Sequence, residues 1–316
     1  MSWTVAQLLE ATQGYWLNDQ APNTEIKRIL TDSRDAEAGD AFLALKGERF
    51  DAHAFITQVA EQGCQVAIVS QPIDAEICQL VVPDTRLALG QLGAYRRAQN
   101  PQLKVIALTG SSGKTTTKEM LGSILSRIAP TLVTRGNLNN DLGVPVMLLE
   151  LRPEHQYAVM ELGASHQGEI DYTSNLVQPL VAGIINIGTA HLGEFGGRDG
   201  ICRAKSEIYA HIAPNGTSIV PAADDFADSI RQAVQTEQVL SFGAGGEIFA
   251  TEIELQAQSA TFKLNTPQGV RQVNLPFAGE HNVQNSTAAA AFALAIGISL
   301  DDIVLGLEQA VGAKGR

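Results

Sequence analysis

A glycine-rich motif directly after an apolar run constrains this chain more than any other feature. The motif is Thr109-Gly110-Ser111-Ser112-Gly113-Lys114-Thr115-Thr116-Thr117, and residues 105–108 before it read Val-Ile-Ala-Leu. A helix-forming stretch follows, from Lys118 to about Arg127. Strand, glycine-rich turn and helix in this order are typical of a phosphate-binding loop, whose backbone N–H groups face phosphate oxygens at a helix N-terminus. An ordinary Gly/Ser turn is the alternative, but the complete order favours a nucleoside triphosphate site.

The residue types inside the motif predict distinct roles. Lys114 is expected to reach the β- and γ-phosphates of ATP, and the Thr115 hydroxyl is expected to hold Mg²⁺. The usual eight-residue pattern has a glycine at the position of Leu108, so this loop is a shortened form. The residues of the loop predicted to bind the nucleotide are Thr109, Gly110, Ser111, Ser112, Gly113, Lys114, Thr115 and Thr116.

Composition narrows the list of partners. The 316 residues carry 22 basic and 34 acidic side chains, a formal charge of −12, which argues against nucleic acid and anionic membranes because both attract basic surfaces. No apolar run approaches the roughly 20 residues of a membrane span, and the start does not resemble a signal peptide. Three scattered cysteines predict a reduced, cytoplasmic compartment. A nucleotide is an anion, so its site is expected to be locally positive. The candidate basic residues for that site are Lys104, Lys114, Lys118, Arg203 and Lys205.

The alternation of apolar runs with helical stretches predicts an α/β fold in two domains. Residues 1–98 form a small N-terminal α/β domain with helical stretches near 52–62 and 86–98, and Asn100-Pro101 interrupts the chain. Residues 99–312 form a P-loop domain with a mostly parallel sheet and, past Thr217, a region of antiparallel strands. The predicted strands are 41–45, 66–69, 80–82, 105–108, 157–160, 182–187, 248–255, 260–264 and 270–275. Residues 284–297 are predicted to form an Ala-rich helix, and residues 300–311 an amphipathic one.

Polar residues follow two of the strands predicted to lie in the parallel sheet, where ligands bind beyond the carboxyl ends. Glu161 ends the run at 157–160 and is either a Mg²⁺ ligand or a solvated acid. His191 follows the run at 182–187 and is either structural or a contact to metal or substrate. Spacing alone places Lys205 on the solvated face of a helix.

Two amide-rich segments are consistent either with local backbone structure, such as a turn or a helix cap, or with ligand binding. Residues 135–141 read Arg-Gly-Asn-Leu-Asn-Asn-Asp, which favours either a turn or a binding loop. Residues 279–285 open the Ala-rich helix, so Asn282 is either an N-cap or part of a polar pair with Asn285, one turn further on.

Taken together, these motifs resemble those of the Mur ligases of peptidoglycan synthesis. The N-terminal part matches at residues 31–34, 39–47 and 50–53, and the loop matches at 109–119 without its first glycine. Residues 136–145 and 161–170 are similar to the branch that joins D-alanyl-D-alanine to UDP-N-acetylmuramoyl-tripeptide (UDP-MurNAc-tripeptide). Ser165 is a departure, because that branch often has asparagine at this position.

The resemblance implies roles that spacing cannot. It implies that Lys205 is carbamylated, that two Mg²⁺ ions bind, and that Lys114, Lys205 and His191 serve catalysis. Thr115, Glu161, His191 and Lys205 match the metal site, and Asn282 and Asn285 match contacts to the adenine nucleotide. The residues that match the substrate-binding side are Ser33, Arg34, Lys46, Asn137, Asn139, Ser165 and His166.

The family's reaction is ATP-dependent ligation through an acyl phosphate. Its members carry a third domain entered through a Lys-Gly-Arg segment, which matches residues 314–316 of this sequence, so residues 313–316 are predicted to begin a linker. We therefore expect a monomeric, truncated form with weak or no activity. A fragment that binds nucleotide and UDP-sugar without turnover is an alternative. Another amide ligase, such as a folylpolyglutamate synthase, is a second one, although the first hundred residues count against it.

Overall fold

The computed structural model describes residues 2–47, 50–189 and 192–312. The chain divides into two compact units. The first comprises Met1–Pro101 together with Pro145–Pro153, and the second comprises Gln102–Val144 and Glu154–Arg316. Each unit has its own sheet. Within the described part of the chain, no helix has the length and apolar character needed to cross a membrane.

A five-stranded sheet organises the first unit. Its strands are β1 (Tyr15–Trp16), β2 (Ile29–Leu30), β3 (Ala41–Leu43), β4 (Val66–Val69) and β5 (Cys78–Val81), and its helices are α1 (Val5–Thr12), α2 (Ile56–Glu61) and α3 (Thr85–Ala98). The strand order is β1-β5-β4-β3-β2, parallel except for β1. Every residue of β3 and β4 is buried, as expected for parallel strands covered on both faces. The strand predicted at 41–45 ends at Leu43, and the helix predicted near 52–62 begins with the 3₁₀ turn Ala52–Phe55.

A six-stranded parallel sheet forms the centre of the second unit. Its strands are β6 (Lys104–Thr109), β7 (Thr131–Val133), β8 (Tyr157–Glu161), β9 (Val181–Ile184), β10 (Thr217–Pro221) and β11 (Gln238–Phe242). The order is β11-β10-β9-β6-β8-β7, so the chain runs from β6 to the edge strand β7, returns to β8 beside β6, and then crosses to β9 on the other side of β6. Such a reversal at β6 places a crevice at the carboxyl ends of β6, β8 and β9.

Helices connect these strands. They are α4 (Lys114–Ser126), α5 (Gly143–Leu149), α6 (Glu169–Val177), α7 (Arg198–Ser206) and α8 (Ala227–Ala233). The predicted helix at 118–127 therefore begins earlier, at Lys114, within the glycine-rich motif itself. The strand predicted at 182–187 ends at Ile184, so residues 185–188 form a loop at the carboxyl end of β9.

Three antiparallel strands and two helices complete the second unit. They are β12 (Phe249–Leu255), β13 (Ala260–Thr266), β14 (Gly269–Leu275), α9 (Glu280–Ala295) and α10 (Leu300–Glu308). The predicted antiparallel pairing is confirmed, and the α/β fold class with it. The Ala-rich helix α9 begins at Glu280 rather than at 284, and Gly279 precedes it. Asn282 is therefore inside the first turn and is not the N-cap, so that alternative was wrong.

The small residues of α9 allow it to pack closely on the parallel sheet. Alanines 288–291 are fully buried, and Phe292 reaches Gly183 of β9. A Cβ atom at Gly183 would lie 3.0 Å from Phe292 Cζ and 2.5 Å from the carbonyl oxygen of Ile219. Any side chain there would therefore separate α9 from the sheet. This packing holds the first turn of α9 beside the glycine-rich loop.

Candidate functional site

The glycine-rich loop joins the carboxyl end of β6 directly to α4. Gly113 precedes the helix with φ +75°, a conformation that side chains other than glycine adopt at a cost. A Cβ atom at Gly113 would also lie only 2.3 Å from Asn285 Oδ1 on α9. Thr115 and Thr116 lie in the first turn of α4, and Lys114 Nζ donates to the Gly110 carbonyl oxygen at 2.9 Å. Strand, turn and helix N-terminus are therefore arranged as a phosphate-binding loop requires.

Two hydroxyl groups of the loop have no hydrogen-bond partner among the described residues. Thr109 Oγ1 and Ser111 Oγ are buried and make no hydrogen bond with any residue that the structure describes. A buried hydroxyl without a partner costs free energy. These two side chains therefore fit a loop that is completed by the oxygens of a bound phosphate.

Asn186, in the loop after β9, holds the glycine-rich loop in shape. Its Oδ1 accepts from Ser111 N at 3.1 Å and from Ser112 N at 3.0 Å, while its Nδ2 donates to the Ser112 carbonyl oxygen at 3.1 Å. The Asn186 carbonyl oxygen also accepts from Ser111 N at 3.1 Å. Sequence reasoning did not assign this residue a role, although it follows a strand of the parallel sheet.

Replacing Asn186 with alanine should weaken the binding of Mg²⁺-ADP about tenfold. The substitution removes the side-chain hydrogen bonds that hold Ser111 and Ser112, so the free loop samples more conformations and pays an ordering cost on binding. Titration calorimetry measures the change, and Asn175→Ala is the matched control because Asn175 is an exposed asparagine on α6 whose side chain accepts from Gln178 Nε2. Equal affinity in Asn186→Ala and Asn175→Ala would contradict this role.

Glu161, at the end of β8, faces the first turn of α4. Its side chain is buried, with 2% of the residue exposed. Thr115 Oγ1 donates to Glu161 Oε2 at 3.1 Å, and Asn139 Nδ2 donates to Oε1 at 2.8 Å. Neither partner is charged, so neither neutralises the carboxylate. A buried carboxylate beside the first hydroxyl of a phosphate-loop helix is a suitable donor set for Mg²⁺.

Lys205, near the end of α7, is buried rather than solvated, so its placement from spacing alone was wrong. Only 3% of the residue is exposed, and Nζ makes no hydrogen bond or ion pair with any other described residue. Burial lowers the pKa of Lys205 from 10.5 to about 8, and the positive charge of Lys114 contributes to the shift. Ile201, four residues earlier, is also buried, and this shared face was the available signal.

Asn282 and Asn285 form the predicted polar pair on one face of α9. Asn285 Nδ2 donates to Asn282 Oδ1 at 3.2 Å, and Asn282 Nδ2 donates to the Ala278 carbonyl oxygen at 2.8 Å. Asn285 is the member of the pair whose side chain packs against Gly113. The pair therefore lies beside the loop.

Other predicted residues of the second unit lie in loops. Asn137 is exposed in the segment between β7 and α5, and its carbonyl oxygen accepts from Asn139 N at 2.8 Å. Ser165 and His166 lie between β8 and α6, where Glu169 accepts from Ser165 N at 2.7 Å and lies 3.2 Å from His166 Nδ1. These loops follow the same carboxyl edge of the sheet.

The predicted residues of the first unit are mostly solvent-accessible. Ser33 and Arg34 lie in the 3₁₀ turn Ser33–Asp35, and Lys46 follows β3 with Nζ 3.9 Å from Asp51 Oδ2. Arg34 Nε donates to Asp32 at 2.9 Å, and this hydrogen bond lowers the pKa of Asp32 to about 2. An ionised Asp32 keeps Arg34 in place on the surface of the unit.

One residue of the predicted metal site, His191, is outside the described residues. The predicted linker at 313–316 is also outside them. Among the side chains that the structure describes, no three His, Cys, Asp or Glu residues lie together as a metal cluster. Thr115, Glu161 and Lys205 are the described members of the predicted set, and only the first two are hydrogen-bonded to each other.

Comparison with known proteins identifies the class to which this fold and loop belong. The model of the Mur ligase middle domain matches residues 108–293, and that of the Mur ligase family catalytic domain matches residues 25–108. The chain belongs to the Mur ligase family of enzymes.

Particular relatives narrow the comparison. The UDP-N-acetylmuramoyl-tripeptide–D-alanyl-D-alanine ligase of Haemophilus influenzae is 43% identical over 319 residues, which cover 99% of this chain and 69% of the relative. A crystal structure of MurF from Acinetobacter baumannii is 78% identical with a TM-score of 0.98, covering all of this chain and 70% of that one. MurF ligase from Thermotoga maritima in complex with ADP is 28% identical with a TM-score of 0.82, over 92% and 67% of the two chains.

Proposed function

We propose that this chain carries the nucleotide-binding and UDP-sugar-binding parts of a ligase that adds D-alanyl-D-alanine to UDP-MurNAc-tripeptide in peptidoglycan precursor synthesis. The observation that carries the proposal is 43% identity to such a ligase over 99% of the chain. The hydrogen-bonded cluster of Thr115, Glu161 and Asn139 beside the phosphate loop supports it. The chain spans about 70% of the length of its relatives, and we propose that alone it has weak or no ligase activity.

The proposed reaction has two steps. An oxygen of the tripeptide's terminal carboxylate attacks the γ-phosphorus of ATP, the bond to the β,γ-bridging oxygen breaks, and ADP leaves. The amine of D-alanyl-D-alanine then attacks the carbonyl carbon of the acyl phosphate, loses a proton, and displaces inorganic phosphate. Neither step needs a protein nucleophile, so the contribution of the protein is alignment and charge stabilisation.

The residues around the loop would bind and orient ATP. Backbone N–H groups of Gly110 and of residues 113–116 would donate to phosphate oxygens, while those of Ser111 and Ser112 donate to Asn186. The hydroxyls of Thr109 and Ser111, which have no partner among the described residues, would donate as well. Lys114 would release the Gly110 carbonyl oxygen and place its charge on the γ-phosphate. Asn282 and Asn285 would contact the adenine nucleotide from α9. The relative solved in complex with ADP supports nucleotide binding by this chain.

We further propose that Thr115 and Glu161 hold one Mg²⁺ ion and that a carbamylated Lys205, with Glu161 and His191, holds a second. Mg²⁺ at these positions would neutralise negative charge on the phosphates. The buried amine of Lys205 suits this assignment, because a carbamate converts a cation into an anion with two oxygens. Lys114, Lys205 and His191 would then be the catalytic residues.

The two parts of the chain would divide the substrates. Residues 1–98 would bind UDP-MurNAc-tripeptide, with Ser33, Arg34 and Lys46 on the uridine side. Residues 99–312 would bind ATP, and residues 313–316 would begin a linker. Asn137, Asn139, Ser165 and His166 would face the substrate from the P-loop domain. The three cysteines are free, which supports action in the cytoplasm. We propose a monomer that uses these small-molecule substrates.

Calorimetry together with a phosphate-release assay tests the proposal. We expect the 316-residue chain to bind a non-hydrolysable ATP analogue, and to bind it more tightly when Mg²⁺ is present. We expect a ligase of the relatives' full length to release phosphate only when both UDP-MurNAc-tripeptide and D-alanyl-D-alanine are added. Phosphate release that needs neither substrate, or a chain that binds no Mg²⁺-nucleotide, would contradict the proposed function.

A further inference from the structure

Lys118 is a fully buried lysine in the helix that carries the phosphate loop. It lies on α4, with 0% of the residue exposed. Nζ donates to the carbonyl oxygen of Thr134 at 2.7 Å and lies 2.8 Å from Glu119 Oε1. Removing an ammonium group from water is costly, so a lysine in this position needs strong compensating contacts. Lys118 was a candidate cation of the nucleotide site, but its amine contacts the residue that follows β7.

The residue that accepts from Lys118 also holds Glu161. Thr134 follows β7 and is 1% exposed. Its Oγ1 accepts from Glu161 N at 2.9 Å and donates to the Val159 carbonyl oxygen at 3.3 Å. Thr134 N donates to the same carbonyl oxygen at 3.0 Å. Thr134 therefore fixes the last residues of β8, where the Glu161 side chain begins.

These contacts close a ring of four residues. Thr115 and Lys118 lie one turn apart on α4 and therefore share a face. Thr115 contacts the carboxylate of Glu161, the Glu161 N–H contacts Thr134, and the Thr134 carbonyl oxygen contacts Lys118. The helix is thus joined to the end of β8 through Thr115 and to the end of β7 through Lys118. The Lys118 contact limits rotation of α4 about the Thr115 contact.

We propose that Lys118 is a positioning residue for the Thr115–Glu161 pair, setting the separation between the hydroxyl and the carboxylate that together receive the divalent cation. The inference rests on the proposed function, in which that pair holds Mg²⁺. Lys118 touches neither nucleotide nor metal in this arrangement. Its influence passes through the Thr134 carbonyl oxygen and the backbone of β8.

Lys118→Met tests this role, because methionine keeps most of the side-chain volume and removes the donor. We expect the Mg²⁺ concentration for half-saturation with a non-hydrolysable ATP analogue to rise about tenfold, the size of effect seen when a partner behind a metal ligand is lost. Affinity for the analogue in EDTA should stay unchanged. Calorimetry on the 316-residue chain measures both quantities.

Two variants of neighbouring residues are matched controls. Glu119→Gln removes the partly exposed partner of Lys118 and keeps the bond to Thr134, so its Mg²⁺ dependence should stay within about twofold of the wild type. Met120→Ala removes a fully buried side chain from the same helix. It should lower the melting temperature without changing the Mg²⁺ dependence.

Thr134→Val serves if Lys118→Met does not fold. Valine keeps the branched shape and removes the hydroxyl that accepts from Glu161 N, so the same rise in the Mg²⁺ requirement is expected. A lower melting temperature with unchanged Mg²⁺ dependence in these variants would overturn the inference and leave Lys118 a structural residue. A wild-type chain without any Mg²⁺-dependent nucleotide binding would overturn the proposed function as well, so the two failures are distinguishable.

Discussion

Lys114→Ala should lower the rate of acyl-phosphate formation about 10²–10³-fold in a ligase of the relatives' full length. Lys114 is the loop cation that would meet charge developing on the γ-phosphate, and in the free protein its Nζ contacts the loop carbonyl of Gly110. The side chain is only half-buried at the start of α4, so the melting temperature should change little. Rapid-quench measurement of ADP formation gives the rate, and thermal unfolding of the same samples gives the melting temperature.

Lys104→Ala is the control for this prediction. Lys104 is an exposed lysine at the opposite end of β6, so its replacement removes one positive charge from the same strand without changing the glycine-rich loop. Its rate should equal that of the wild type. Near-normal turnover in Lys114→Ala would show that the loop does not bind the transferring phosphoryl group in the proposed way.

Lys205→Ala should lower the rate of the complete ligase about 10²-fold, because it removes the anion proposed to hold the second Mg²⁺. A short carboxylic acid such as acetate should restore part of the activity by replacing the carbamate. Carbamate formation joins a neutral amine to CO₂ with loss of one proton, so a buried lysine with a pKa of about 8 is far more reactive than an ordinary lysine near neutral pH. NMR with ¹³C-bicarbonate should detect the carbamate, and an unmodified amine in the Mg²⁺-nucleotide complex would contradict it.

The unmodified amine has a separate signature in the pH dependence of folding. The folded state holds the Lys205 pKa near 8 against 10.5 for the unshifted group, so the unfolded chain binds more protons between these values. The unfolding free energy should therefore rise with pH across that window, by about 3 kcal/mol more than in Lys205→Met. Chemical denaturation without bicarbonate measures the difference. Parallel pH curves for the two proteins would contradict the burial of a titrating amine.

The local features of the site followed from sequence because each depends on neighbours along the chain. The apolar run, the glycines and the helix after them occupy consecutive positions, so the loop and the strand β6 could be placed without tertiary information. Glu161 was placed for the same reason, at the end of an apolar run. The antiparallel strands were recognisable from close spacing and alternation.

The features that were missed depend on contacts between distant segments. Asn186 acts on Ser111 and Ser112, 74 or more positions earlier, because β9 lies beside β6. No local pattern specifies that neighbour. The burial of Lys205 likewise depends on what α7 packs against. Asn282 resembled a helix cap because the residues before the alanines are polar, although the helix already begins at Glu280.

Direct binding of UDP-MurNAc-tripeptide tests the central claim most directly. We expect saturable one-to-one binding by the 316-residue chain in calorimetry, unchanged in Lys114→Ala because that lysine serves the ATP site. UDP-N-acetylglucosamine, which has the uridine diphosphate but no peptide, should bind much more weakly. Absence of saturable binding, or equal affinity for the two UDP-sugars, would contradict the assignment of this chain to the ligases that extend UDP-MurNAc-tripeptide.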